Sequence, residues 1–229
     1  MALVPLTTRP AALVFDLDGT LVDSRKDITT AINQLRSELG LASLTLDQVV
    51  AMVGEGAKVL IRRALADWNV QEGDMSPERL KEVLDRYLVL YREVCVDTTR
   101  PYPGIEEMLE ELAAAYRMAV LSNKGEKLSV FILEELDLAF HFKAVLGGDS
   151  LPTRKPNPAG LRALADRFDV PVESLMLVGD SRVDAETARN AGCAFALVEW
   201  GFPRTPGSEA VEADIKVAEP AELVRALRA

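Results

Sequence analysis

The stretch LVFDLDGTLVDS, residues 13–24, carries two carboxylates one residue apart, Asp16 and Asp18, where an apolar run meets Gly19. Three other stretches place polar groups after apolar runs or ahead of a helix: Ser122, Asn123 and Lys124 in SNK, Lys155 in LPTRKPNP, and Asp180 and Asp184 in GDSRVD. Ligands of open parallel sheets bind beyond the carboxyl ends of the strands, so these groups are expected to face one crevice. In an extended strand residues i and i+2 share a face, which would aim Asp16 and Asp18 the same way and Leu17 the other. Carboxylates crowded together do not all stay ionised without compensation. A hard divalent cation supplies it, and Mg2+ is favoured over zinc or calcium because it takes oxygen ligands while keeping waters and open positions for a phosphate. A metal, a lysine and Ser/Asn donors around an exposed Asp fit phosphoryl transfer, where catalysis is mostly positioning and neutralisation of the transferred group's oxygens. Asp16 is then the candidate nucleophile, giving an aspartyl phosphate. Asp18 is the candidate acid/base, protonating the leaving oxygen and later deprotonating the attacking water.

The elements that must position these groups alternate along the chain. Residues 13–16, 118–122, 144–147, 175–179 and 195–198 read as strands, most of them near-continuous apolar runs of the kind buried on both faces of a parallel sheet. Residues 105–116, 126–136, 158–168 and 183–191 read as crossover helices and 220–227 as a closing one, which predicts an α/β fold with a doubly wound parallel sheet. Residues 24–98 break the alternation with helical periodicity and no convincing strand. That interval is too long for a crossover and too ordered for a loop. It predicts a helical domain inserted after the first strand: a core from 1–22 and 98–229, and a helical cap from 23–97.

Composition narrows the chemistry. With 229 residues and 48% hydrophobic content the chain can bury a sizeable core. His141 is the only histidine, so a Ser/His/Asp triad or a multi-histidine zinc site would rest on one residue. Carboxylates and lysines must do the work. Cys95 and Cys193 show no metal-ligand spacing and read as reduced structural thiols. The formal charge of -10, with basic residues scattered, argues against a nucleic-acid partner. No apolar run approaches the ~18 residues of a membrane helix. The start MALVPLTTRPAALVF lacks the features of a signal peptide, so a cytoplasmic location is expected, as a monomer or homodimer.

In order, DLDGTLVDS, SNK, RKPNP and GDSRVD resemble the four motifs of the haloacid dehalogenase superfamily, and the resemblance covers essentially the whole chain. It implies Asp16 as nucleophile, Asp18 as acid/base, Ser122 and Asn123 as phosphate ligands, and Lys155 as the cation orienting nucleophile and phosphate. It also implies Mg2+ held by Asp16, the Asp18 carbonyl and Asp180, with Asp184 among or behind the ligands, and the inserted helices resemble the family's C1 cap. VGEGAKVLIRRAL and GGDSLPTRKPNP resemble the phosphoglycolate phosphatase branch, which implies a small phosphorylated metabolite as partner, 2-phosphoglycolate first. Two departures stand out: Arg25 and Lys26 follow VDS where the branch commonly has a small residue and proline, and WGFPRTPG only loosely resembles its usual GY segment.

Several positions carry two readings. Gly54, Glu55 and Gly56 suit either a cap loop meeting the substrate or a Gly-rich helix N-terminus. Thr20 suits a hydrogen bond to Asp18 or a turn cap. Asp184 suits the metal site or a helix N-terminal charge. Arg62 and Arg63 are adjacent on a helix, so at most one faces the site. Lys124 and Arg182 are candidate electrostatic helpers. Competing functions are another capped phosphatase, for nucleotides or pyrophosphate, a phosphomutase, and, from a different class, a receiver-type phosphoacceptor module.

Overall fold

The computed structural model describes residues 9–68, 76–202 and 211–228. The chain forms two compact units, Met1–Asp23 with Pro101–Ala229, and Ser24–Arg100. Its strands are β1 (Ala12–Phe15), β2 (Val22–Asp23), β3 (Arg100–Pro101), β4 (Arg117–Leu121), β5 (Ala144–Leu146), β6 (Leu175–Gly179), β7 (Ala194–Val198) and β8 (Ile215–Val217). The helices described are α1 (Arg25–Glu38), α2 (Leu46–Val50), α3 (Ala57–Ala64), α4 (Pro77–Val94), α5 (Ile105–Ala113), α6 (Glu126–Glu135), α7 (Ala159–Phe168), α8 (Arg182–Ala191) and α9 (Pro220–Arg228).

Six strands make one sheet in the order β5-β4-β1-β6-β7-β8, with every pairing parallel. The winding runs one way through β4 and β5 and returns to the other side of β1 at β6. This places the topological switch, where open α/β sheets bind ligands, at the carboxyl end of β1. The period of two along β1 explains its central place. Leu13 and Phe15 join the core with Met108 and Leu112 of α5 and Leu223 of α9, while Ala12 and Val14 join the opposite core with Leu161 and Phe168 of α7 and Ala188 of α8. Helices cover both faces, as the sequence predicts.

Register sets the site. Phe15 pairs with Val120 of β4 and Val178 of β6, so the residues that follow the three strands emerge side by side. The strands stop slightly before the sequence suggests: β1 ends at Phe15 and β4 at Leu121, although Asp16 N still donates to Val178 O at 2.9 Å. Helix α5 is shorter than periodicity implies, because Ala115 N and Tyr116 N fold back onto Leu112 O and the Tyr116 hydroxyl donates to Leu227 O at 3.1 Å. Strand β8 is an addition that three residues did not announce.

The helical unit is stapled by buried polar groups. Thr45 and Gln48 form a capping box on α2, and Ser76 caps α4 with Pro77 in its first turn. Arg36 on α1 is buried, donating to Ala42 O at 2.7 Å, to Ala64 O and, through two nitrogens, to Asp67 at 2.8 and 2.6 Å. Asp27, 2% exposed in the first turn of α1, accepts from the backbone N–H and hydroxyl of both Thr98 and Thr99, tying the beginning of the unit to its end. Among the described residues, no helix is long and apolar enough to cross a membrane.

Truncating Asp27 removes the acceptor of four donors, two of them on the buried Thr99 and two on the exposed Thr98. Asp27→Ala is expected to cost roughly 3 kcal/mol of stability, read from the midpoint and slope of urea unfolding. A loss below about 0.5 kcal/mol would show that water replaces the carboxylate.

Candidate active site

Asp16 follows β1 directly, with its Oδ1 2.9 Å from Lys155 Nζ. Lys155, 4% exposed on the segment ahead of α7, also reaches Asp184 Oδ1 at 2.6 Å. Asp180 comes immediately after β6. Each of Asp16, Asp180 and Asp184 offers a carboxylate oxygen within 4.8 Å of the other two, and all three residues are buried. Asn123 lies beside them, its Nδ2 donating to Lys155 O at 3.1 Å, and the buried Ser122 Oγ accepts from Lys124 N at 3.2 Å.

Asp18 takes a different partner. Its Oδ1 accepts from Lys124 Nζ at 2.7 Å, a pair with only 7% and 12% of its side chains exposed. The shared-face expectation for Asp16 and Asp18 needs extended backbone, but the chain turns at once. Thr20 N, Leu21 N and Val22 N all donate to Leu17 O, and Gly19 N donates to Val22 O. Gly19 is required there twice over: its φ is +84°, and a Cβ would sit 2.2 Å from Asp180 Oδ2. Lys124, an electrostatic helper in the sequence, thus contacts Asp18, whereas Arg182 pairs with Glu186 on the exposed side of α8.

Thr20 follows neither of its two readings. Its buried hydroxyl has no hydrogen-bond partner among the described residues, because the turn satisfies its own backbone donors through Leu17 O and Val22 O. Asp184 sits at the helix terminus that its second reading expects. With Ser181 it forms the capping box that starts α8, accepting from Ser181 N at 3.1 Å on Oδ2, while Oδ1 holds Lys155. Gly54, Glu55 and Gly56 belong to the helical unit and precede α3. Gly54 and Gly56 have φ of +118° and +88°, and Glu55 is exposed and paired with Arg63 at 2.6 Å.

Electrostatics mark the cluster. Burial, then the neighbouring Asp184 and Asp18 charges, raise Asp16 to about 6 against the pull of Lys155. Burial followed by the charges of Asp184 and Asp16 pushes Asp180 well above the usual carboxylate range. Burial opposes the Lys155 charge, but Asp16 and Asp184 outweigh it and hold the ammonium protonated. Asp16 Oδ1 accepts no well-formed hydrogen bond despite its closeness to Lys155. One buried cation for three buried carboxylates leaves unbalanced charge. Ligands about 2.1 Å from an octahedral Mg2+ lie roughly 3–4 Å apart, so oxygens within 4.8 Å of one another fit that ion after small adjustments.

The family described as haloacid dehalogenase-like hydrolase matches residues 13–198. The chain belongs to that family. Relatives agree: a phosphoglycolate phosphatase of Nitrosospira multiformis is 36% identical over 214 residues, covering 91% of each chain, and one of Rhodospirillum rubrum is 40% identical over 199 residues, covering 86% of this chain and 83% of its own. The crystal structure of a predicted phosphoglycolate phosphatase from Haemophilus somnus superposes with a TM-score of 0.88 at 31% identity, covering 96% and 98% of the two chains. This haloacid dehalogenase-like hydrolase is a phosphatase.

Residues without reactive groups were missed in the sequence. Gly179 admits Asp184, since a Cβ there would sit 2.5 Å from Asp184 Cγ. Phe202 N donates to Asp180 Oδ2 at 2.9 Å and Trp200 Nε1 to Thr20 O at 3.0 Å. The glycines adjacent to Asp18 and Asp180 and the WGF triplet were the available signals. The rest of WGFPRTPG, residues 203–207, lies outside the described residues.

A cation binds the ionised carboxylates, and a raised pKa means the folded, metal-free protein keeps a proton on Asp16 below about 6. Stability contributed by that proton falls as pH rises from 3.8 to about 6, by roughly 3 kcal/mol. Any rise in melting temperature that Mg2+ produces by binding this cluster should therefore shrink as pH drops from 7.5 through 6 to 5. Calorimetry in buffers of different ionisation heat should record proton release on binding near pH 6. A pH-independent Mg2+ shift would contradict the site.

Proposed function

We propose that this phosphatase hydrolyses 2-phosphoglycolate to glycolate and phosphate through an aspartyl phosphate on Asp16, with Mg2+ as cofactor. The observation that carries the reading is the Lys155 ammonium held between Asp16 and Asp184 at the carboxyl end of the central strand, in a chain whose relatives are named for that substrate.

In the reaction proposed, an Asp16 oxygen attacks phosphorus while the bond to the glycolate oxygen breaks, and Asp18 donates a proton to that oxygen. Asp18 then takes a proton from water, whose oxygen attacks phosphorus as the Asp16–phosphorus bond breaks. Ser122 and Asn123 donate to the phosphoryl oxygens, and Lys155 keeps the nucleophile ionised and offsets developing charge. Mg2+ would be held by Asp16, the Asp18 carbonyl and Asp180, with Asp184 among or behind the ligands, and would neutralise the phosphoryl oxygens. Thr20 is assigned to the phosphate pocket because its buried hydroxyl is unpaired among the described residues. We assign reading of the substrate's far end to the helical unit as cap, through Gly54, Glu55 and Gly56.

Steady-state assays over phosphoglycolate, sugar phosphates, nucleotides and pyrophosphate test the substrate. The highest kcat/KM is expected for phosphoglycolate, and preference for a nucleotide or pyrophosphate would replace it. Equimolar glycolate and phosphate are expected as products, whereas an isomerised ester would indicate a mutase and a single long-lived phosphoryl adduct a receiver-type module. Asp16→Asn should lower kcat by at least about 10³-fold with an unchanged circular dichroism spectrum. Near-normal turnover would remove Asp16 from the nucleophile's role.

A further inference from the structure

Two of the three clustered carboxylates sit on turns, Asp16 at the start of residues 16–22 after β1 and Asp180 with Ser181 after β6, while Asp184 lies in the first turn of α8. A third segment, following β7, is bonded to the turns after β1 and β6. Trp200 Nε1 donates to Thr20 O at 3.0 Å, and Phe202 N donates to Asp180 Oδ2 at 2.9 Å. Between them Gly201 is packed so closely that a Cβ there would sit 2.4 Å from Asp180 Cβ and 2.5 Å from Gly19 O. The half-buried Trp200 packs against the core cluster that contains Leu13 and Phe15 of β1.

We infer that Trp200 is a positioning residue: by tying the turn after β1 to the loop that holds Asp180, it sets the spacing of the carboxylate cluster and hence its affinity for a divalent cation. The inference rests on the metal-dependent reading above. The Phe202 N–H takes one Asp180 oxygen and so fixes the direction of the other. That N–H is itself placed by the indole, which anchors the loop to the Thr20 carbonyl, and no Cβ at 201 obstructs the approach. Hydrogen-bond partners that orient metal-binding side chains typically change metal affinity by about 10- to 100-fold when removed. Trp200 acts through the loop and belongs at the lower end.

Trp200→Phe keeps an aromatic ring against the core while removing the N–H donor together with part of the indole. The Mg2+ dissociation constant is read from melting temperature against Mg2+ concentration, and independently from the Mg2+ concentration giving half-maximal turnover. Both should rise by about tenfold, with kcat at saturating Mg2+ largely retained. Phe202→Pro deletes the donor to Asp180 directly and should weaken Mg2+ by at least as much. Tyr116→Phe, which removes the bond to Leu227 O, controls for lost stability and should leave the Mg2+ constant unchanged. A role confined to folding would lower the melting temperature of Trp200→Phe equally at every Mg2+ concentration, and that result, or unchanged Mg2+ constants in both loop variants, overturns the inference alone. Failure of the unaltered protein to bind Mg2+ overturns the inference together with the metal-dependent reading.

Discussion

The Lys155 ammonium is the interaction on which the rest of the core unit depends. It is 4% exposed and lies within 3 Å of two buried carboxylates. Breaking such a contact from one side leaves an uncompensated buried charge, which typically costs about 3–5 kcal/mol. Its position requires three chain segments to converge: β1 delivering Asp16, the segment before α7 delivering the lysine, and the cap of α8 delivering Asp184. Asp184 serves both the helix terminus and the lysine, so the local structure of α8 and the electrostatics of the cluster stand or fall together.

Glycine is the second requirement, for reasons of space. Asp180 and Asp184 are approached by Gly19, Gly201 and Gly179 at distances where any Cβ would overlap the carboxylate or its stem. The cluster is dense because bare backbone approaches it at these three glycines. Backbone also supplies the directional bonds, from Phe202 N to Asp180 and from Ser181 N to Asp184.

This explains what was legible in the sequence. The apolar runs of β1, β4 and β6 are buried on both faces and so announce themselves, and the polar groups after each run mark its carboxyl end. The parallel sheet and its covering helices follow from the alternation, whereas the strand order comes from the structure. The partner of Asp18 was not legible in the two-residue spacing, because that rule holds only within a strand and the chain turns around the Leu17 carbonyl. The loop after β7 was not legible because it acts through main-chain atoms and one indole N–H, groups that carry no residue-type signature of metal or phosphate chemistry. Strand β8 was too short to show a period, with one exposed residue between two buried ones.

Charge counting makes the cluster's purpose more definite than any single distance. Three carboxylates against one ammonium leave two negative charges in a buried site when all are ionised, while Asp18 is already matched by Lys124. A phosphate dianion entering that environment would be repelled, and burial, aided by the neighbouring carboxylate charges, raises the pKa of Asp16 toward protonation. Protonation relieves the charge but disables a nucleophile. A divalent cation would relieve it while leaving Asp16 ionised, which is the state that the proposed attack on phosphorus needs. In the reaction proposed, metal occupancy would be coupled to ionisation of Asp16, and Lys155, held protonated by its two carboxylate neighbours, would orient Asp16 in either state.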